Sequence, residues 1–184
     1  MARIDPILPD QMTEEQRAVD AEIAAKRTGG NARGPFALWL RDPELARRAD
    51  AFGSYVRSNT SVPRRLSELA ILTVARHWTA QYEWFAHENH VIDAGLTQDV
   101  VDAIKARKRP DFSDADDEAV YDLCMELNEN HAVSNETYAR SVERLGEQMV
   151  LDLVTTVGFY TMVATLVVTF QIDIPGGGPP PLEP

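Results

Sequence analysis

The chain has 184 residues, 44% of them apolar and 26% charged, which suits a single folded domain with a sizeable core and excludes a disordered or fibrous chain. Eighteen basic residues against 29 acidic ones leave a formal charge of −11, which argues against a nucleic-acid surface and against docking on anionic membranes. One cysteine, Cys124, excludes an internal disulfide framework, a cysteine-rich zinc site and an intramolecular dithiol cycle.

The first residues, Met1-Ala2-Arg3-Ile4-Asp5-Pro6, hold no apolar signal core, so the expected location is the cytoplasm. Thr13-Glu14-Glu15-Gln16 matches a capping box and predicts a helix over 13–28 that closes at Gly29-Gly30. A loop over 31–35 and a short helix or turn over 36–40 follow. Asp42-Pro43-Glu44 sets an N-cap, a proline and an acid in order, which starts a helix over 43–57. Ser58-Asn59-Thr60 ends it. Pro63 opens the next helix, with Leu66, Leu69, Ala70, Leu72, Thr73 and Arg76. A break is expected at Trp78-Thr79, with Thr79 as N-cap of a helix that carries Tyr82, Phe85, Ala86 and Val91 and stops at Gly95. Thr97, Ser113 and Ser134 are expected to cap helices over 98–105, 114–130 and 135–145.

The last long helix spans 147–170. Its residues 153–170 carry no charge, a length at the short edge of a membrane span. Asp152 and Asp173 flank the run, no Lys or Arg stands at either end, and five threonines interrupt it, so it reads as a core helix. Apolar on every side, it should be covered all round, by its own fold or by a second subunit. The Pro/Gly-rich segment 175–184 is expected to be a flexible or extended tail behind a single domain over 1–174. No run alternates as a strand does, and no repeat or linker is visible. The fold class is all-α.

Chemistry concentrates between Glu68 and His90, ELAILTVARHWTAQYEWFAHENH. Glu83 and His87 are four apart and share a helix face, where a carboxylate can fix an imidazole tautomer, keep it charged or exchange a proton with it. The same spacing is also a common surface pairing. Glu68 sits among leucines and isoleucine, where burial would raise its pKa. In one straight helix Glu68 and Glu83 would stand about 22 Å apart along the axis. A joint site with Glu68, Glu83 and His87 therefore depends on the break at Trp78-Thr79, or on a second subunit.

Trp78, Tyr82, Trp84 and Phe85 could line a pocket for a planar substrate or serve as core and subunit contacts. Arg64, Arg65, Arg76 and His77 are candidates for holding an anionic substrate. His87-Glu88-Asn89-His90 lacks the HExxH spacing and no third ligand is apparent, so no metal is expected. No GxSxG, P-loop or GxGxxG occurs. Cys124 falls on a helical pattern as a small buried hydrophobe.

Taken together, Pro63-Arg64-Arg65-Leu66-Ser67-Glu68, then His77-Trp78-Thr79-Ala80-Gln81-Tyr82-Glu83-Trp84-Phe85-Ala86-His87, then Ala94-Gly95-Leu96-Thr97 resemble the carboxymuconolactone decarboxylase family, within the alkyl hydroperoxidase D-like superfamily. The similarity is most specific over 63–104 and extends weakly to Val157-Gly158-Phe159-Tyr160-Thr161-Met162. The hydroperoxidase branch carries a Cys-x-x-Cys whose positions correspond to Ala80 and Glu83, so both thiols are missing here. Glu83 is similar instead to the decarboxylase branch.

The resemblance implies an all-α, alkyl hydroperoxidase D-like helical bundle that assembles as a homotrimer or homohexamer. It implies a lyase with catalytic His87, Glu83 and Glu68 and with Trp78, Tyr82, His77 and Arg76 around the substrate. That substrate would be a small, anionic lactone or aromatic-derived compound, and no cofactor would be needed. A binding or scaffold protein of the same fold, and a hydroperoxide reductase, are the alternatives.

Overall fold

The computed structural model describes residues 2–26 and 32–184. Within them the chain forms α1 (Glu14–Ala24), α2 (Pro35–Trp39), α3 (Pro43–Ser58), α4 (Arg64–His77), α5 (Gln81–Asp93), α6 (Gln98–Lys105), α7 (Ala115–Asn130), α8 (Asn135–Leu145) and α9 (Glu147–Phe170). No strand occurs among the described residues.

The helix α4 is the centre. Every residue from Leu66 to Arg76 is buried, and α3, α5, α6, α7 and α9 all pack on it. Its apolar residues point to all sides and need neighbours on all sides. Each buried Leu or Ile side chain contributes on the order of 1.5–3 kcal/mol. This central placement carries Glu68 into the interior, at 4% exposure.

Local chemistry explains most helix ends. Thr13 and Gln16 form the expected capping box. Asp42 accepts from the Leu45 amide, and Ser134 from the Thr137 amide. The cap of α7 is Asp114 rather than Ser113, accepting from the Asp116 amide. Thr97 occupies the N-cap position of α6 without a side-chain bond. Helix α1 ends at Ala24, short of the expected 28; the expected closing residues Thr28, Gly29 and Gly30, and Asn31 after them, lie outside the described residues.

The break between α4 and α5 falls where expected but is built differently. Thr79 is not an N-cap; it has φ 51, in the left-handed region. Its amide donates to the Arg76 carbonyl at 3.1 Å, and the Ala80 amide reaches the Ala75 carbonyl at 2.8 Å. That pair of bonds is a Schellman closure, which normally uses glycine. A β-branched residue there carries a cost of roughly 1–2 kcal/mol. The Thr79 hydroxyl offsets it by accepting from Arg76 Nη1 at 3.2 Å and Arg107 Nη2 at 2.9 Å.

Helix α9 buries Leu153, Val157, Tyr160, Val163, Ala164 and Val167 against α2, α3, α4, α5, α7 and α8. It is long and apolar enough to cross a membrane by length and composition, and in this fold it packs as a core helix. It is not covered all round by its own chain. Leu151, Val154, Met162 and Val168 lie open along one side, Leu151 at 61%.

The Pro/Gly-rich tail is extended, and it is pinned rather than free. Gln81 donates to the Leu182 carbonyl at 2.8 Å and accepts from the Leu182 amide at 2.9 Å. The Leu182 side chain is 2% exposed.

Candidate active site

The α4–α5 hairpin brings Glu68, Glu83 and His87 together in one chain. Glu68 comes from the first half of α4, and Glu83 and His87 from successive turns of α5. His87 Nδ1 lies 2.6 Å from Glu68 Oε2, and His87 Nε2 lies 3.2 Å from Glu83 Oε1. All three are at most 4% exposed. Two ionised carboxylates accept only, so both contacts are hydrogen bonds only when the ring carries two N–H donors. Two carboxylates about the ring favour the imidazolium.

The electrostatics agree. Burial would depress the His87 pKa, but its bonds to Glu68 and Glu83 outweigh that and lift it to about 9. Burial pushes Glu68 upward, as its apolar sequence setting suggested. The hydrogen bond and charge of His87 prevail, and the Glu68 pKa ends below its ordinary value. The expectation of a raised Glu68 is corrected here, because a charge-assisted bond at 2.6 Å exceeds the cost of desolvation.

The three residues line a cavity of about 530 Å³ between α3, α4, α5 and α9. Tyr82 also lines it. Four cationic side chains, Lys26, Arg33, Arg57 and Arg64, face the same space. Lys26 is paired with Asp50 at 2.7 Å. Arg64 Nη2 approaches His90 Nδ1 at 3.4 Å. In a chain of charge −11 this is a local concentration of positive charge, and it suits an anionic ligand.

Other expected substrate contacts do not reach the cavity. Arg76 is buried and donates to the Lys105 carbonyl and to Thr79, so it ties α4 to α6. His77 stacks edge-on against Trp78, 5.8 Å between ring centres, and Trp78 is 36% exposed. None of the three lines the cavity. Arg65 pairs with Asp114 and Asp117 instead. Trp84 is core and Phe85 is exposed.

Lys26 and Arg33 were not sequence candidates, and neither were two further cavity residues, Arg57 and Tyr160. Arg57 ends α3, and Tyr160 lies on α9, 103 residues later; Arg57 Nη2 donates to Tyr160 Oη at 3.2 Å. No spacing rule links them. Cys124, on α7, is fully buried, and burial drives its thiol pKa upward. No group of three His, Cys, Asp or Glu placed to hold a metal occurs among the described residues.

This arrangement of helices recurs in solved structures. A protein of unknown function from Agrobacterium tumefaciens, described as a candidate AhpD antioxidant-defence protein, superposes with a TM-score of 0.68 at 13% identity, over 75% of this chain and 95% of its own. A cysteine-to-alanine variant of the debrominase Bmp8, bound to 2,3,4-tribromopyrrole, superposes with a TM-score of 0.76 at 10% identity, over 96% and 95%. The ligand-free debrominase gives 0.74 at 10% identity, over 94% and 91%. The fold is AhpD-like. No family model and no curated protein matches the chain. At these identities the likeness fixes the AhpD-like fold and leaves the chemistry to the residues in the cavity.

Proposed function

We propose that the chain is a cofactor-independent lyase of the decarboxylase kind, acting by acid–base chemistry on a small anionic lactone or aromatic-derived compound. The observation that supports this is the His87 ring, held between two buried carboxylates in the wall of a cavity with a cationic lining. Loss of carbon dioxide leaves a carbanion or enolate that must receive a proton, and a positioned imidazolium is suited to supply it. The longer contact, to Glu83 at 3.2 Å, is the one that yields when Nε2–H turns to substrate. The shorter bond, to Glu68, keeps the ring in place. Debromination, the activity of one AhpD-like neighbour, is not carried over by this reading, because the one thiol of this chain is buried in α7.

The test is carbon dioxide release and ultraviolet change over a panel of small lactones and aromatic carboxylic acids, with wild type, His87→Ala and Glu83→Gln. Turnover by wild type that both folded variants lose supports the reading. A wild type that turns over nothing while binding panel members favours the binding-protein alternative. We also propose that copies associate, as a homotrimer or homohexamer, through the open apolar side of α9.

A further inference from the structure

The proton group has a neighbour that the acid–base reading does not use. Arg57 Nη2 donates to Tyr160 Oη at 3.2 Å. A guanidinium has no acceptor atom. The phenol oxygen therefore receives, and the phenol's own hydrogen is left over. Among the described residues it makes no hydrogen bond to an acceptor. Nor does Arg57 make an ion pair within 4 Å among those residues; the charges of Glu68 and Glu83 act on it from further off. Both groups line the cavity that holds His87. The Tyr160 ring meets the His87 ring edge-on, at 5.4 Å and 87°.

The phenol is held firmly. Tyr160 is 2% exposed and packs edge-on against Phe159, 5.3 Å between ring centres. Phe159 in turn lies over Gly53, where a β-carbon would stand 2.6 Å from the ring. Gly53 is one helical turn before Arg57, so the same part of α3 seats the aromatic pair and supplies the guanidinium. Burial lifts the Tyr160 pKa to about 12, against the opposing charge of Arg57, so the phenol remains a donor at neutral pH.

We propose that Arg57 and Tyr160 form an oxyanion site, which takes the carbonyl oxygen of an enolate-forming substrate beside the His87 proton. Donor atoms 3.2 Å apart can both reach one oxygen. In turnover, which rests on the lyase reading above, the bond between the α-carbon and the carboxylate breaks. Its electron pair moves through carbon onto the carbonyl oxygen, and carbon dioxide leaves uncharged. The substrate's negative charge now sits on the enolate oxygen, facing Arg57 and Tyr160. The α-carbon then takes the Nε2 proton of His87, the carbonyl re-forms, and solvent returns a proton to the ring. A guanidinium placed on the departing carboxylate would stabilise the ground state and slow the loss of carbon dioxide. The pair is therefore assigned to the oxygen that gains charge.

The site is tested by equilibrium binding of 4-nitrophenol to the full chain, followed by absorbance, since its phenolate is an aromatic oxyanion. Wild type is expected to bind the phenolate and to keep it ionised at a lower pH than in free solution. Arg57→Gln and Tyr160→Phe should each weaken phenolate binding about tenfold or more. Binding of 4-nitroanisole, which has the ring but no ionisable oxygen, should be the same in all three proteins. Folding is checked by circular dichroism, and Arg57→Gln, at an exposed position, decides the matter if Tyr160→Phe does not fold. The proposal is overturned if wild type does not bind the phenolate, or if both variants bind it as wild type does. It is overturned also if 4-nitrobenzoate binds more tightly than the phenolate with the same dependence on Arg57, since the site is then a carboxylate anchor. Arg57-dependent phenolate binding without any turnover on the substrate panel sinks the lyase reading and leaves the oxyanion site standing. Turnover without such binding does the reverse.

Discussion

Glu68 approaches His87 to 2.6 Å, closer than Glu83 does at 3.2 Å from the opposite ring nitrogen. The shorter contact should make the larger contribution to keeping the ring charged. Glu68→Gln is expected to lower the His87 pKa from about 9 by roughly one to two units, the size of one charged hydrogen bond. Glu83→Gln should lower it less. Nitrogen-detected titration of the His87 ring reads both. Equal shifts, or none, contradict this ranking.

The same group sets a pH window for stability. The folded His87 pKa lies above its ordinary 6.5, so its stabilising effect is complete below 6.5 and fades as pH rises through about 9. The folded Glu68 pKa lies below 4.5, so its contribution is present above 4.5 and fades as pH falls through the lowered value. Urea midpoints are expected to decline on the alkaline side in wild type. His87→Gln should flatten that decline while lowering stability at neutral pH. A decline unchanged in the variant would assign it to other groups.

Gly34 lies against the ring of Tyr82, and a β-carbon there would overlap it; the backbone also has φ +55. Gly146 has φ +81 but open space around it. With ψ 155 it lies in a region that only glycine occupies readily, so Gly146→Ala should cost roughly 1–3 kcal/mol from backbone strain alone. Gly34→Ala should cost more, by roughly 1–3 kcal/mol, and should also disturb the cavity wall that Tyr82 forms. Chemical denaturation of the two variants separates the terms. Equal losses would show that Tyr82 moves aside freely.

The tail contact is open to a direct check. Gln81→Ala removes both bonds to Leu182, worth about 1 kcal/mol each at most. The segment near Leu182 should then exchange amide hydrogen faster and be cut sooner by protease, with the unfolding midpoint little changed. Unchanged protection would mean that burial of the Leu182 side chain alone holds the tail.

Met162 stands in the middle of the open side of α9 at 44% exposure. If copies meet there, Met162→Glu buries a charge without a partner at the contact, and light scattering should report a smaller particle. An unchanged mass would move the contact elsewhere or remove it.

Much of the site is legible in the sequence. Glu83 and His87 are one helical turn apart, and the break at Trp78-Thr79 is what lets Glu68 join them; both signals are local. The ends of α3 and α8 followed from Asp42 and Ser134, whose side chains bond to nearby amides. What misled was proximity in sequence. Arg76 is only eight residues past Glu68, yet on a helix that is about 12 Å along the axis, and its guanidinium ends at Lys105 and Thr79. Thr79 in a left-handed turn was hidden for a different reason. Two arginines hold it there, Arg76 from the turn before and Arg107 from beyond α6, and only the folded chain brings Arg107 close. Arg57 and Tyr160 were out of reach for the same cause.

The two walls of the cavity thus come from different parts of the chain. Glu68 and His87 are 19 residues apart and belong to one hairpin, whereas Arg57 and Tyr160 are 103 apart and meet only when α3 lies on α9. The two pairs can therefore be substituted separately, although the His87 and Tyr160 rings touch. A lineage could keep the hairpin intact and exchange residues on α3 and α9, acquiring a new substrate each time without rebuilding the proton donor. Descent in such a lineage would be visible over some thirty residues and nearly erased elsewhere.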